Sequence, residues 1–362
     1  MAKGSILKKE ALGDSKSSPR VSSMLLPYIA RRIAIGIVMM IGITLISFSV
    51  TQLVPGDPAA VNLGQSAMSN PEIVARWRAE YGLDKPVPEQ YLIYIKKVLH
   101  GDLGISQQSQ RPVSKDLSEF FPATLEIALV AILISLFFGL IFGIISAINR
   151  DRWPDQLIRF FSLTGVSVPT FWLSLVFFYV FFFKLRWFPT NGRLDPGEDA
   201  PAHITGIYTF DALVHGQWSL AWQALRHLAL PALVLAIYTI AVLTRFTRAS
   251  VLEILGQDYV RAARAKGLSE FLIIKRHVLR PALISIITVA GVAFGNLLSG
   301  SVLVENVFSW PGLGQYAFKS AIGLDLPGIM GVSIVVAGIF ISMNLIVDLL
   351  YKVIDPNMRS QK

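Results

Sequence analysis

Side chains able to carry out covalent chemistry are sparse in this chain, and none is arranged for it. The histidines, His100, His203, His215, His227 and His277, all fall in loops or at the edges of apolar stretches, and no two stand in H-x-x-x-H spacing. That spacing is what places two ring nitrogens on one helix face for a metal. There is no cysteine, which excludes disulfides, thiolate nucleophiles and Cys-based metal sites. No G-x-x-x-x-G-K-[ST] run is present to cradle a nucleotide phosphate. What the chain does offer is a recognition element, Gly256-Gln257-Asp258-Tyr259-Val260-Arg261-Ala262-Ala263-Arg264-Ala265-Lys266-Gly267-Leu268. Asp258 is suited to cap the start of a short helix, and Gly267 to end it in a left-handed turn. Ala and Arg between them favour about two helical turns. Ser269 can cap the helix that follows. Ala262, Ala263 and Ala265 would let another backbone come close, while Arg261, Arg264 and Lys266 ring the helix with charge. Read locally, two uses fit: a knob that docks into a partner, or a basic loop lying on lipid headgroups.

The elements that position this segment are apolar. Six stretches contain no Asp, Glu, Lys, Arg or His: Ile33–Val54, Ile127–Ile148, Phe160–Phe183, Leu228–Thr244, Pro281–Val304 and Leu326–Val347. A helix needs about 20 such residues to cross a hydrocarbon core. Five stretches reach that length; Leu228–Thr244, with 17 residues, falls short unless its flanks extend it. Composition agrees, with 53% hydrophobic and 16% charged residues, too little polar surface for a water-soluble globule. The chain therefore reads as an all-α integral membrane protein with six transmembrane helices.

Basic residues set the orientation. With the N-terminus inside, the inner segments carry 21 Lys and Arg and the outer segments 12, so both termini are expected in the cytoplasm. The net charge of +9 is then the positive-inside bias and gives no reason to expect nucleic-acid binding. Residues 1–24 are polar and rich in Ser and Lys, and read as a mobile cytoplasmic tail. The outer loop from Pro55 to Glu126 is expected to hold a helix with Tyr91, Leu92, Ile95, Val98 and Leu99 on its packed face and Lys96 and Lys97 turned away. The inner segment 245–280 is too patterned for a passive linker. In the third stretch Pro169 interrupts the helical ladder beside Ser167 and Thr170, and in the fifth Asn296 and Ser299 share a helix face. These five residues are candidates for lining a pathway, with helix packing as the rival use of Asn296 and Ser299.

The absence of charge from the apolar stretches bears on function. Ion-coupled carriers use intramembrane Asp, Glu or His groups that bind or exchange the ion, and membrane-bound enzymes need a nucleophile and a base within reach. A stand-alone channel or an ion-coupled secondary carrier is the rival reading, and the uncharged stretches count against the carrier.

The spacing of Ala262-Ala263 and Gly267 resembles the cytoplasmic loop signature of ABC-importer permeases. Gly56-Asp57-Pro58, Gly101-Asp102-Leu103-Gly104, Asp258-Tyr259-Val260-Arg261 and Phe308-Ser309-Trp310-Pro311-Gly312-Leu313-Gly314 are similar, in the same order, to motifs of the dipeptide/oligopeptide/nickel permeases. The resemblance runs from about Pro27 to Pro356. It departs from the family at Arg261, where the loop pattern begins with Glu, and at Leu279-Arg280-Pro281, which stands for a trailing Leu-Pro. The resemblance implies a type I ABC importer permease fold over residues 25–356 and transport of di- or oligopeptides through a bacterial inner membrane. It further implies Asp258, Tyr259, Arg261, Ala262, Ala263, Lys266, Gly267 and Leu268 as the ATPase-coupling residues. The implied partners are a second homologous permease subunit, two ATP-binding subunits that would hold ATP and Mg, and an extracytoplasmic solute-binding protein. It implies no catalytic residue, no metal and no cofactor on this chain.

Overall fold

The computed structural model describes residues 21–53, 70–189 and 191–354. Most of the expected tail and the motif Gly56-Asp57-Pro58 lie outside them. The described residues are helical apart from turns and one isolated bridge between Ile105 and Pro112. The chain divides into two units after Gly42; helical residues 21–42 belong to the first, and every contact described below lies in the second.

The first helix, α1 (Val21–Leu53), begins inside the stretch expected to be tail. Two helices follow in the outer loop, α2 (Pro71–Tyr81) and α3 (Val87–Leu99). In α3, Tyr91 and Tyr94 pack on Phe48 of α1, and Thr44 Oγ1 lies 2.9 Å from the Tyr91 hydroxyl. Leu92 and Leu99, expected on the packed face, are exposed instead. Tyr94 takes that place because the ring stack with Phe48 sets the rotation of the helix.

The long helices α4 (Val113–Ile148) and α8 (Trp218–Leu255) form the central pair. Each is far longer than its uncharged stretch, so the 17-residue stretch sits inside a 38-residue helix. Gly139 and Gly143 let the two approach: a Cβ on either would run into Leu243 or Thr247 of α8. Small residues four apart are the usual device for close helix contact in lipid.

Between α4 and α8, the uncharged stretch 160–183 is not one straight helix. Helix α5 (Trp153–Ser167) stops at Val168, and α6 (Thr170–Phe177) starts afresh after Pro169, continuing as a π-helical segment to Lys184, with a bend of 101° between the two parts. A residue before proline is pushed out of the helical region, and Val168 is accordingly extended at φ −81°, ψ 125°. Pro169 thus ends one helix and begins another, a sharper device than the kink expected. A short helix, α7 (Tyr208–Val214), lies in the second outer loop.

After α8 come α9 (Asp258–Ala265), a lead-in Glu270–Val278 that is partly π-helical, and α10 (Leu279–Gly300). Then follow α11 (Val302–Val307), α12 (Leu313–Ile322) and α13 (Leu326–Ile354). Four helices are long and apolar enough to cross a membrane, and six spans result when each bent pair counts as one.

Candidate functional site

The segment singled out by its sequence folds as a compact helix seated on the ends of the long ones. Gln257, at φ −74° and ψ 148°, is the N-cap, and Asp258 is the first helical residue. This corrects the expected cap by one position. As the first residue, Asp258 still meets the positive end of the helix, and it pairs with Arg261 at 2.6 Å one turn on.

The far end follows the sequence closely. Lys266 is the C-cap, and Gly267 stands at φ +79°. The Leu268 N–H donates to the Ala263 carbonyl at 3.4 Å, and the Gly267 N–H donates to the Arg264 carbonyl at 2.9 Å. These two bonds are the Schellman pair that closes a helix through a left-handed residue. Ser269 then caps the next helix, its hydroxyl accepting from the Leu272 N–H.

One face of α9 is a seat. Val260 and Ala263 are buried, with Leu268 beside them, in a cluster formed with Ala147 of α4, Val251 of α8, and Ile273, Val278, Ala282 and Ile286 on the way into and along α10. Ala263 is therefore not free for another backbone, contrary to expectation; only Ala262 and Ala265 of the three alanines remain exposed. Helical periodicity explains the split, because Val260 and Ala263 are three apart on the face that finds an apolar partner. The opposite face presents Asp258, Tyr259, Arg261, Ala262, Arg264, Ala265 and Lys266 to solvent. Tyr259 leans its hydroxyl toward the His277 carbonyl at 3.4 Å. Arg264 is held by Glu270 at 2.7 Å, a partner that its spacing of six residues hid until the Gly267 turn brought the two together.

The candidate pathway residues are scattered. Ser167 and Thr170 flank the break at Pro169, and the Ser167 hydroxyl donates back to the Leu163 carbonyl at 2.8 Å. Helix α6 packs on α8 and α11, whereas α10 packs on α4, α8 and α13. Asn296 and Ser299 do share an exposed face of α10. Gly295 beside them serves packing, since a Cβ there would lie 3.2 Å from the Phe340 ring of α13. An open cavity of about 430 Å³ lies between α4, α10 and α13, lined by Phe121, Leu125, Phe294, Leu298 and Val335 among others, and does not include Asn296 or Ser299.

Sequence reading missed the buried charges that hold the helix ends. At the end where α9 sits, Asp155 of α5 receives both nitrogens of the Arg248 fork at 2.7 Å and the Ser146 hydroxyl of α4 at 2.5 Å. Toward the other end of α4, Glu126 binds Arg193 at 2.5 Å and accepts from the Thr209 hydroxyl and N–H, while the Arg193 guanidinium lies 3.4 Å from the centre of the Tyr208 ring. Glu305 of α11 accepts from Thr124, Ser301 and the Gln315 N–H. Burial pushes the Glu305 carboxyl up, against the pull of those hydrogen bonds. Asp211 shows the reverse balance. Burial alone would raise it, but the Thr205 hydroxyl and the N–H groups of Thr205, Gly206 and Ile204 hold it below the usual range. Close by, Trp310 is buried and its Nε1–H donates to the Ala123 carbonyl, so the turn from Phe308 to Gly314 is anchored on α4. The one available signal was position: Glu126 and Glu305 each bound an uncharged stretch directly.

Two family models cover nearly the whole chain. Residues 139–360 match the inner membrane component of binding-protein-dependent transport systems, and residues 25–128 match the N-terminal part of that component. The chain belongs to this family; it is the transmembrane permease subunit of an ABC importer, and the ATPase is a separate subunit. The chain is 44% identical to the probable D,D-dipeptide transport system permease protein DdpB of Escherichia coli K12, over 89% of this chain and 95% of that one. It is 40% identical to the di/tripeptide permease DppB of Pseudomonas aeruginosa, over 93% and 100%. It is 39% identical to the dipeptide permease DppB of Alkalihalophilus pseudofirmus, over 92% and 100%. Among solved structures, the MetNI methionine ABC transporter in an inward-facing form aligns with a TM-score of 0.47 at 16% identity, over 64% of this chain and 93% of that one. Membership implies a bacterial inner membrane, ATP-binding and permease partners, and a binding protein.

Proposed function

We propose that this chain forms half of a pathway for di- and oligopeptides, in the manner of a type I importer, and that α9 couples it to ATP hydrolysis in a partner. One second, similar permease chain would supply the other half, and two ATP-binding subunits and one solute-binding protein would complete the assembly. Both termini would lie in the cytoplasm, on the side of α9. The peptide substrate is supported by the names of the relatives. The coupling role rests on a single observation: α9 is closed at its C-terminal end by the Gly267 turn, seated on the ends of α4, α8 and α10, and exposed on its other face.

That arrangement suits force transmission. When the ATPases close on ATP, a helix held in a cleft of one of them moves with it. Val260, Ala263 and Leu268 would pass that movement to Val251, Ile273 and Ile286 because close-packed side chains shift together. The π-helical lead-in Ile273–Val278 is where the α10 ladder is already interrupted. This chain would do no covalent chemistry; the energy would enter through α9.

The test is disulfide trapping. Single cysteines at Ala262 and Ala265 should cross-link to the ATP-binding subunit in assembled transporter, with yields that change when ATP is added. A cysteine at Gln257 should be labelled from the cytoplasmic side, and one at Asn191 from the outer side. Cross-links that form only to lipid-phase reagents would overturn the coupling role, and labelling of both sites from one side would overturn the orientation.

A further inference from the structure

An arginine pocket at the inner membrane boundary has no part in coupling. It is an open cavity of about 430 Å³ between α5 and α8, lined by Arg159, Leu163, Arg245, Phe246, Arg248 and Ala249. We propose that it binds an anionic phospholipid, with the lipid phosphate at Arg159 and Arg245 and the start of an acyl chain along Leu163.

The level of the pocket argues for lipid. Arg159 immediately precedes the uncharged stretch 160–183, and Arg245 immediately follows the uncharged stretch 228–244. Both guanidinium groups therefore stand where hydrocarbon gives way to headgroups. Leu163 lies one helical turn deeper than Arg159, and both Leu163 and Phe246 are exposed. Charge at the phosphate level with an apolar wall just beneath it matches the two ends of a phospholipid.

The charge balance argues for an anion. Of the three arginines, Arg248 is neutralised by its two-pronged bond to the buried Asp155 carboxylate. Among the described residues, Arg159 and Arg245 make no ion pair. Two unpaired guanidinium groups lining one cavity suit the tetrahedral, doubly accepting oxygens of a phosphodiester, and basic pockets between spans on the inner face are known lipid sites. A zwitterionic lipid would bring its own cation into the same site and bind less well.

The experiment uses the assembled transporter in nanodiscs of mixed phosphatidylglycerol and phosphatidylcholine, with lipid retained after detergent extraction quantified by mass spectrometry. Wild type should retain phosphatidylglycerol in excess over the bulk ratio. The double variant Arg159→Gln, Arg245→Gln should lose that excess by on the order of tenfold. The double variant with Lys at both positions should keep most of it, and both variants should assemble, because neither touches the Asp155–Arg248 pair. Equal retention by wild type and the Gln variant would overturn the proposal. So would stabilisation of phosphatidylcholine-only discs by inorganic phosphate to the same extent, which would mean a free-anion site. Efficient cross-linking of a cysteine at Leu163 to the second permease chain would also overturn it, by showing that protein covers the pocket.

Discussion

The buried acids at the helix ends and the charges of α9 are handled in opposite ways. At the end of α4 away from α9, acids are sunk among helix ends and met by internal groups: Glu126 by the distant Arg193, and Glu305 by the distant Thr124 together with the nearby Ser301 and Gln315 backbone. Helix α9 keeps its charges in water, and its pair Asp258–Arg261 is 93% and 69% exposed. Buried charges need internal partners because the cost of desolvation is high. Exposed ones are free to exchange water for another protein. The helix ends around Glu126 and Glu305 are thus closed by the chain's own residues, while α9 is a surface finished only on its seated side.

The largest effect expected from breaking this contrast is at Glu126. Glu126→Ala would leave the Arg193 guanidinium buried without its carboxylate, and removing one partner of such a pair costs about 3–5 kcal/mol. Thermal unfolding of the detergent-solubilised chain should show a large fall, with a smaller one for Glu126→Gln, which keeps acceptors for Thr209. A shift no larger than that of a surface variant would mean these helix ends are not closed in this way.

Glu305 sharpens the same point through pH. Its carboxyl is raised in the folded state by burial, so the folded protein holds this proton more tightly than the unfolded chain. Its contribution to stability is full below the unfolded value and is lost as pH rises through the folded one. The melting temperature of wild type should therefore decline relative to Glu305→Gln as pH is raised from acid toward neutral. A difference that stays flat or reverses would show that the Thr124, Ser301 and Gln315 bonds hold an ionised carboxylate.

At α9 the effects on stability should be smaller and those on function larger. Gly267→Val places a β-branched residue at φ +79°, a strain of roughly 1–2 kcal/mol. No atom lies within 4 Å of a Cβ there, so the strain is purely conformational. Membrane abundance should be near normal while ATPase co-purification and peptide uptake fall. Ala262→Glu should act similarly from the exposed face by adding bulk and charge to a docking contact. Normal uptake in both variants would reduce α9 to a basic surface loop.

Arg261→Ala is the smallest perturbation. It removes an exposed ion pair, typically about 0.2–1 kcal/mol at most, and should leave the melting temperature almost unchanged. ATPase affinity is the informative readout, because Arg261 stands where the family pattern has an acid. An unaltered affinity would exclude Arg261 from the docking surface.

Much of this was written locally. The apolar stretches follow from runs of residues without charge, and the end of α9 follows from Gly267, since only a residue free of Cβ takes positive φ cheaply. Ser269 as a cap was legible for the same reason: neighbours in sequence decide it. The extent of α4 and α8 beyond their apolar stretches was not, because polar residues at helix ends are stabilised by partners that sequence spacing does not reveal.

The sequence by itself therefore determined a membrane chain with uncharged spans, a biased distribution of basic residues and a capped helix on one side. Tertiary structure alone decided that Ala263 faces inward and Ala262 outward, that Pro169 turns the chain by 101°, and which groups satisfy Asp155, Glu126 and Glu305. Among those partners Arg248, Arg193 and Thr124 lie 93, 67 and 181 residues away. The reason is physical. Backbone preference acts over a few residues, whereas a buried charge is satisfied by whatever the packing of distant helices brings within hydrogen-bond reach.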